Sequence, residues 1–166
     1  MKIRQIREED FEGYHRCLDE VACERKYLAM YEGPPREGSL GWVKNHIAKD
    51  QPLHVAVDEG EIVGWCDITP LPREVFAHRA ELGMGLLKRY RGQGKGSLLA
   101  ESAIAHARKM GIRRIDLDVR ADNEAAIKLY RALGFIEEGR IKDGIRREDE
   151  GFEDVILMGY FTEWIQ

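Results

Sequence analysis

Cysteine, long apolar runs and surplus positive charge are all scarce in this 166-residue chain. The three cysteines, Cys17, Cys23 and Cys66, are odd in number and lack C-x-x-C spacing. That argues against a disulfide framework or a thiolate zinc site and points to a reducing cytoplasm. The histidines (His15, His46, His54, His78, His106) form no H-x3-H pair, so no metal is expected. No stretch approaches the roughly 18 apolar residues of a membrane span. The opening MKIRQIREED lacks the apolar centre of a secretory signal. Lys and Arg total 26 against 30 Asp and Glu, a net charge of -4. A general binder of nucleic acid or anionic membrane needs the opposite balance.

What is present suits a packed core, since 43% of the residues are apolar. Lys2 to Ile6 alternates as a short strand. Glu8 to about Lys26 carries Phe11, Tyr14, Leu18 and Val21 at helical steps. Pro34-Pro35 breaks that helix, and Ser39 is the expected cap of a second one reaching about Lys49. Two apolar runs, Leu53–Val57 and Ile62–Cys66, flank Asp58-Glu59-Gly60-Glu61 and predict a hairpin. Arg79 to Leu87 reads as a strand in which Gly83 and Gly85 suggest a bulge or a close ligand approach. The next helix puts Leu99, Ala103, Ala107 and Met110 on one face and stops at Gly111. Ile115–Val119 is a strand, and Asn123 caps a helix ending at Gly134. Strands around Phe135–Ile141 and Phe152–Phe161 close the chain. The order β-α-α-β-β-β-α-β-α-β-β, without repeat or linker, predicts one α/β domain over residues 1–166 with a mixed sheet.

The chemistry concentrates in Leu86-Leu87-Lys88-Arg89-Tyr90-Arg91-Gly92-Gln93-Gly94-Lys95-Gly96-Ser97, between a strand and a helix. A helix start leaves backbone N–H groups without partners and carries positive potential. Glycines there let a phosphate approach, and Lys88, Arg89, Arg91 and Lys95 add cationic charge. A pyrophosphate-bearing ligand is the chemistry implied. A Walker loop would need glycine at Arg89 and Ser or Thr at Gly96. A dinucleotide fingerprint from Gly92 would need glycine or alanine at Ser97. A nucleotide-binding phosphotransferase is therefore disfavoured.

Arg91-Gly92-Gln93-Gly94-Lys95-Gly96 resembles the Q/R-x-x-G-x-G/A signature of the GCN5-related N-acetyltransferase (GNAT) superfamily. The run from Val119 through Asn123, Ala126, Tyr130, Gly134 and Phe135 is similar to that family's second motif, V-x-x-x-N-x-x-A-x-x-x-Y-x-x-x-G-F. The resemblance implies a single domain with a mostly antiparallel sheet flanked by helices, its fourth and fifth strands splayed apart. It implies acetyl-CoA as co-substrate, no metal, and direct transfer of an acetyl group to a primary amine. The acceptor could be a small amine, a polyamine, an amino acid, or a protein N-terminus or lysine, and a homodimer stays open. The alternative is an inactive CoA-binding regulatory or scaffold module.

By the same resemblance, Leu86, Leu87, Arg91, Gly92, Gln93, Gly94, Lys95, Gly96, Ser97, Asn123, Ala126 and Tyr130 would bind the cofactor, with the backbone N–H groups of Leu86 and Leu87 polarising the thioester carbonyl. Asn123 is both a helix cap and a partner of the pantetheine arm. Tyr130 is either a core residue or the acid that protonates the leaving thiolate. Glu81 ranks first as general base and Asp118, acting through a water, second. Either is otherwise a solvated strand carboxylate. Glu20, Glu24, Asp67, Asp149, Glu150, Glu153 and Asp154, walled by Trp65, Tyr27, Tyr31 and Phe152, suggest an acidic mouth for a cationic acceptor.

Overall fold

The computed structural model describes residues 1–162; the last four positions of the predicted domain lie outside the described residues. The elements are β1 (Lys2–Gln5), α1 (Phe11–Ala22), α2 (Arg36–Ala48), β2 (Leu53–Asp58), β3 (Glu61–Pro70), β4 (Arg79–Leu86), α3 (Lys95–Lys109), β5 (Arg114–Arg120), α4 (Glu124–Leu133), β6 (Ile136–Arg146) and β7 (Phe152–Phe161). They build one seven-stranded sheet in the order β1-β2-β3-β4-β5-β7-β6. Every neighbouring pair is antiparallel except β4 with β5. The element order and the mixed, mostly antiparallel architecture match the expectation. No helix among the described residues is long and apolar enough to cross a membrane.

Apolar spacing drives the packing. In α1, Phe11, Tyr14, Leu18 and Val21 fall on the buried face, and α3 buries Leu99, Ala103 and Ala107. Met110 departs from its expected place, because it is the C-cap and 38% exposed, while Ile104 is buried instead. Two helix limits also differ. α1 stops at Ala22, since Arg25 turns into the left-handed region at φ 54°. α2 starts at Arg36 with Pro35 as N-cap, and Ser39 is buried inside it. Proline's fixed φ suits a helix entrance without any capping side chain.

β4 leaves its partner early. It pairs with β5 only through Arg79↔Arg114, Ala80↔Ile115 and Glu81↔Asp116, whereas β5 stays paired to β7 along its whole length. Beyond Glu81 the two strands diverge. The closed end is tied by Asp116, which accepts from Arg79 Nε at 3.0 Å and from Arg114 Nε at 2.6 Å; Arg114 also reaches Glu138 at 3.0 Å.

No bulge occurs at Gly83 or Gly85, and the β3–β4 register runs unbroken from Gly64↔Leu86 to Pro70↔Ala80. The glycines answer cross-strand crowding instead. A Cβ on Gly85 would stand 2.3 Å from the Trp65 indole, and one on Gly83 would stand 2.9 Å from Asp67 Oδ1.

Candidate active site

The divergence opens a cavity of about 740 Å³. One wall is the β4 segment Leu82–Leu86; the others are the loop at Arg91–Ser97, the start of α4 with Asn123, Ala126 and Tyr130, and the segment after α1. Local sequence explains the loop. Gly92 and Gly94 sit at φ 70° and 73°, a backbone that L side chains resist, and Gly94 is the N-cap of α3. The N–H groups of residues 92–97 find no acceptor among the described residues; the first to do so is Leu98, bonded to Gly94 O at 3.4 Å. A run of bare donors at a helix N-terminus is an anion cradle.

Three of the loop's four cations are engaged with other groups. Arg91 donates from Nε to Leu86 O at 2.7 Å and from Nη1 to Glu24 at 2.8 Å, with its guanidinium 4.7 Å from the Tyr27 ring. It ties the segment after α1 to the loop while still bordering the cavity. Arg89 pairs with Glu61 at 3.2 Å, and the Lys95 ammonium lies 4.5 Å from the Tyr90 ring. The Gln93 side chain bonds Arg89 O, and neither Gln93 nor Lys95 lines the cavity.

The two expected carbonyl donors separate. Leu87 N–H is bonded to Val63 O at 2.9 Å, so that donor belongs to β3. Alternation along an antiparallel strand then turns the N–H groups of Met84 and Leu86 to the opposite edge, the one β5 has left. The Leu86 N–H therefore points toward the gap, and the Leu87 N–H does not.

Asn123 Oδ1 accepts from Ala126 N at 3.2 Å, the predicted cap, and the residue also lines the cavity. Tyr130 is 8% exposed, with its ring 5.7 Å from Phe135. Among the described residues no group hydrogen-bonds its hydroxyl. Burial, then the nearby Cys66 and Asp67, push its phenol above the usual value.

The carboxylates sort differently from the sequence ranking. Glu81 lies in the paired part of β4, exposed and outside the cavity lining. Asp118 lines the cavity from β5 but is exposed. The anticipated acidic mouth is largely neutralised: Glu24 pairs with Arg91, Glu153 with Arg120, Asp154 with Arg140 and Asp149 with Arg147. A second cavity of about 300 Å³ near the β6–β7 turn offers Arg25, Lys26, Arg120 and Arg147 against Asp122, Glu148 and Asp149. Trp65, expected as a wall, is buried under Gly85 at 3% exposure.

Asp67 is the exception within that acidic set. It is half-buried on β3, opposite Gly83, and accepts a hydrogen bond from the Thr69 hydroxyl at 3.2 Å. Burial raises its carboxyl to about 7, although bonding to Thr69, Trp65 and its own backbone pulls the other way. The signal was available in Trp65-Cys66-Asp67-Ile68-Thr69: strand alternation puts Asp67 and Thr69 on the face of a large buried aromatic.

The chain matches the model of the acetyltransferase (GNAT) family over residues 3–135. It is a member of that family. A GNAT acetyltransferase from Streptococcus pneumoniae superposes with a TM-score of 0.90 at 33% identity, covering 96% of this chain and 98% of that one. A phosphinothricin acetyltransferase of Sinorhizobium meliloti, solved with acetyl-CoA, shares the fold at a TM-score of 0.89 and 20% identity, over 96% and 87% of the two chains. The ribosomal protein bS18-alanine N-acetyltransferase of Escherichia coli is 42% identical over 69 residues, 42% of this chain and 46% of its own.

Proposed function

We propose that this protein transfers an acetyl group from acetyl-CoA to a primary amine by direct attack, both substrates being bound together. The observation that carries this reading is the run of unpartnered N–H groups at residues 92–97, in a loop that borders, through Gly92, Gly94, Gly96 and Ser97, a cavity leading to the gap between β4 and β5. The residues fit the diphosphate of coenzyme A: left-handed glycines at 92 and 94 leave no side chain over the donors, and α3 adds its N-terminal potential. Acetyl-CoA supplies the acyl group already activated as a thioester.

The chain's own groups then divide the work. Residues 92–97 hold the phosphates. The free face of Asn123 and the adjacent Ala126 border the thiol-bearing arm. The Met84 and Leu86 N–H groups meet the carbonyl oxygen as it gains charge. Tyr130 donates a hydrogen bond to the leaving sulfur. Of the two carboxylates ranked from sequence, only Asp118 borders the cavity. The mixed charge around the second cavity supports no preference for purely cationic acceptors.

The test is thiol release from acetyl-CoA across a panel of amines, amino acids, polyamines and peptides, with calorimetry of acetyl-CoA alone. Binding with amine-dependent release is the expected result. Binding without release for any amine would assign the chain to a regulatory or scaffold role, and no binding would remove the reading altogether.

A further inference from the structure

Asp67 does not stand alone. Its Oδ2 meets the Thr69 hydroxyl at 3.2 Å, Thr69 Oγ1 meets His46 Nε2 at 3.0 Å, and His46 Nδ1 meets Trp42 O at 3.0 Å. This file of groups crosses from β3 into α2. His46 is 1% exposed, its ring 3.8 Å from that of Trp42.

Hydrogen counting fixes how the file is wired. A carbonyl oxygen only accepts, so the bond to Trp42 O places a proton on His46 Nδ1. Burial lowers the His46 pKa and keeps the ring neutral, which leaves Nε2 as a lone pair. The Thr69 hydroxyl is then asked to donate in two directions, to His46 and to Asp67. It satisfies His46 only when Asp67 carries a proton and donates to Thr69 in turn. A neutral Asp67 completes every bond in the file, whereas an ionised Asp67 must compete with His46 for one hydroxyl proton.

The other oxygen lies against Gly83 on β4, so that Asp67 stands behind the cavity lining rather than in it. Oδ1 lies 2.9 Å from the position a Cβ on Gly83 would take, and Gly83 itself lines the cavity. The missing side chain leaves a window between the carboxyl and the place where β4 and β5 part.

We infer that Asp67 is the proton acceptor of the reaction, taking a proton from the attacking amine through Oδ1, and that Thr69 and His46 are positioning residues that set its proton affinity. This rests on the transferase reading above. The balance is simple. An acceptor ammonium gives one proton to Asp67, and its freed electron pair forms the C–N bond. The C–S bond breaks with its electrons on sulfur. The second proton lost from nitrogen passes to solvent, the thiolate is held by the Tyr130 hydrogen bond until it takes a proton from solvent in turn, and Asp67 returns its own to solvent.

The groups around Asp67 leave it free to titrate near neutrality. Tyr14 on α1, Cys66 beside it on β3 and Tyr130 on α4 are each pushed up, first by burial, and stay neutral there. Glu81, on the same face of β4, is exposed, and His46 reaches Asp67 only through Thr69. Asp118, the earlier candidate, has no comparable file of partners among the described residues.

The experiment takes the full chain, acetyl-CoA and the panel amine that gives most thiol release. The wild-type rate should climb with pH through an inflection near 7, where the carboxyl sheds its proton. Asp67→Asn keeps a donor toward Thr69 and should lower kcat by about 10²- to 10⁴-fold. It should also abolish the inflection, with acetyl-CoA affinity unchanged. Thr69→Val cuts the link between Asp67 and His46 and should displace the inflection from its wild-type position, a change that a purely structural role would not make; an unmoved inflection would return Thr69 and His46 to packing. Carbon-13 observation of the aspartate carboxyls, assigned by difference against Asp67→Asn, reads the same group without turnover. Titration near 4, or release undiminished in Asp67→Asn, overturns this assignment alone. No release from the wild-type protein with any amine sinks the transferase reading and the assignment with it.

Discussion

Tyr130→Phe removes one oxygen from the wall of the cavity and leaves the ring in place against Phe135. The size of its effect follows from two acidities. A coenzyme A thiol resembles a cysteine thiol near ~8.5, and an ordinary phenol lies near ~10. Burial moves the Tyr130 phenol higher still. Full proton transfer from phenol to thiolate is therefore uphill, and the hydroxyl contributes chiefly as a donor to developing negative charge. Such a hydrogen bond is worth about 1.5–3 kcal/mol. At about 1.36 kcal/mol per factor of ten, kcat should fall roughly 10- to 150-fold. Acetyl-CoA affinity should stay constant, because the charge exists only as the thioester breaks. Since no described group bonds the hydroxyl, stability should change by no more than about 0.5 kcal/mol. Steady-state thiol release, calorimetric affinity and a melting curve measure the three quantities. An unchanged kcat, or a fall that tracks a lower Tm, would refute the reasoning and return Tyr130 to a packing role.

Three further outcomes are expected. Gly94→Glu forces a side chain into the left-handed region, costing about 1–2 kcal/mol, and sets a negative charge at the bare N–H groups; calorimetry should find acetyl-CoA binding lost. Gly85→Ala drives a methyl group into the Trp65 indole, itself edge-on to Tyr14 at 6.1 Å, so chemical denaturation should report a loss of about 1–3 kcal/mol. His54 is buried beside His106, 3.1 Å away, and burial first, then that neighbour, lower its pKa to about 4. Because the folded value lies below the unfolded one near ~6.5, the stability it contributes is full above that value and is lost as pH falls toward 4. Melting curves for wild type and His54→Gln should differ in slope across that window, and parallel curves would contradict this.

Local signals were legible where one segment contains its own explanation. Asn123 and Gly134 bracket α4 as expected, and Glu59-Gly60, both at positive φ, turn the β2–β3 hairpin. The loop at residues 92–97 was readable because glycine, strand and helix lie together in sequence. What escaped depended on a partner strand or helix. Gly83 and Gly85 look like a bulge until Asp67 and Trp65 are placed across from them. Arg91 looks like a phosphate ligand until Glu24 arrives from the segment after α1. The His46 file needs α2 laid over β3, which no spacing within either segment reveals.

The three-residue seam between β4 and β5 has a mechanical consequence. Two half-sheets, β1 to β4 and β5 to β7, meet there like covers on a short spine, and Asp116 is the pin through it. The angle between the covers, and so the width of the mouth at their far edge, is set by a residue that does not border the cavity. A substitution at Asp116 is expected to change turnover from outside the cavity, by loosening the seam rather than by touching a reacting group.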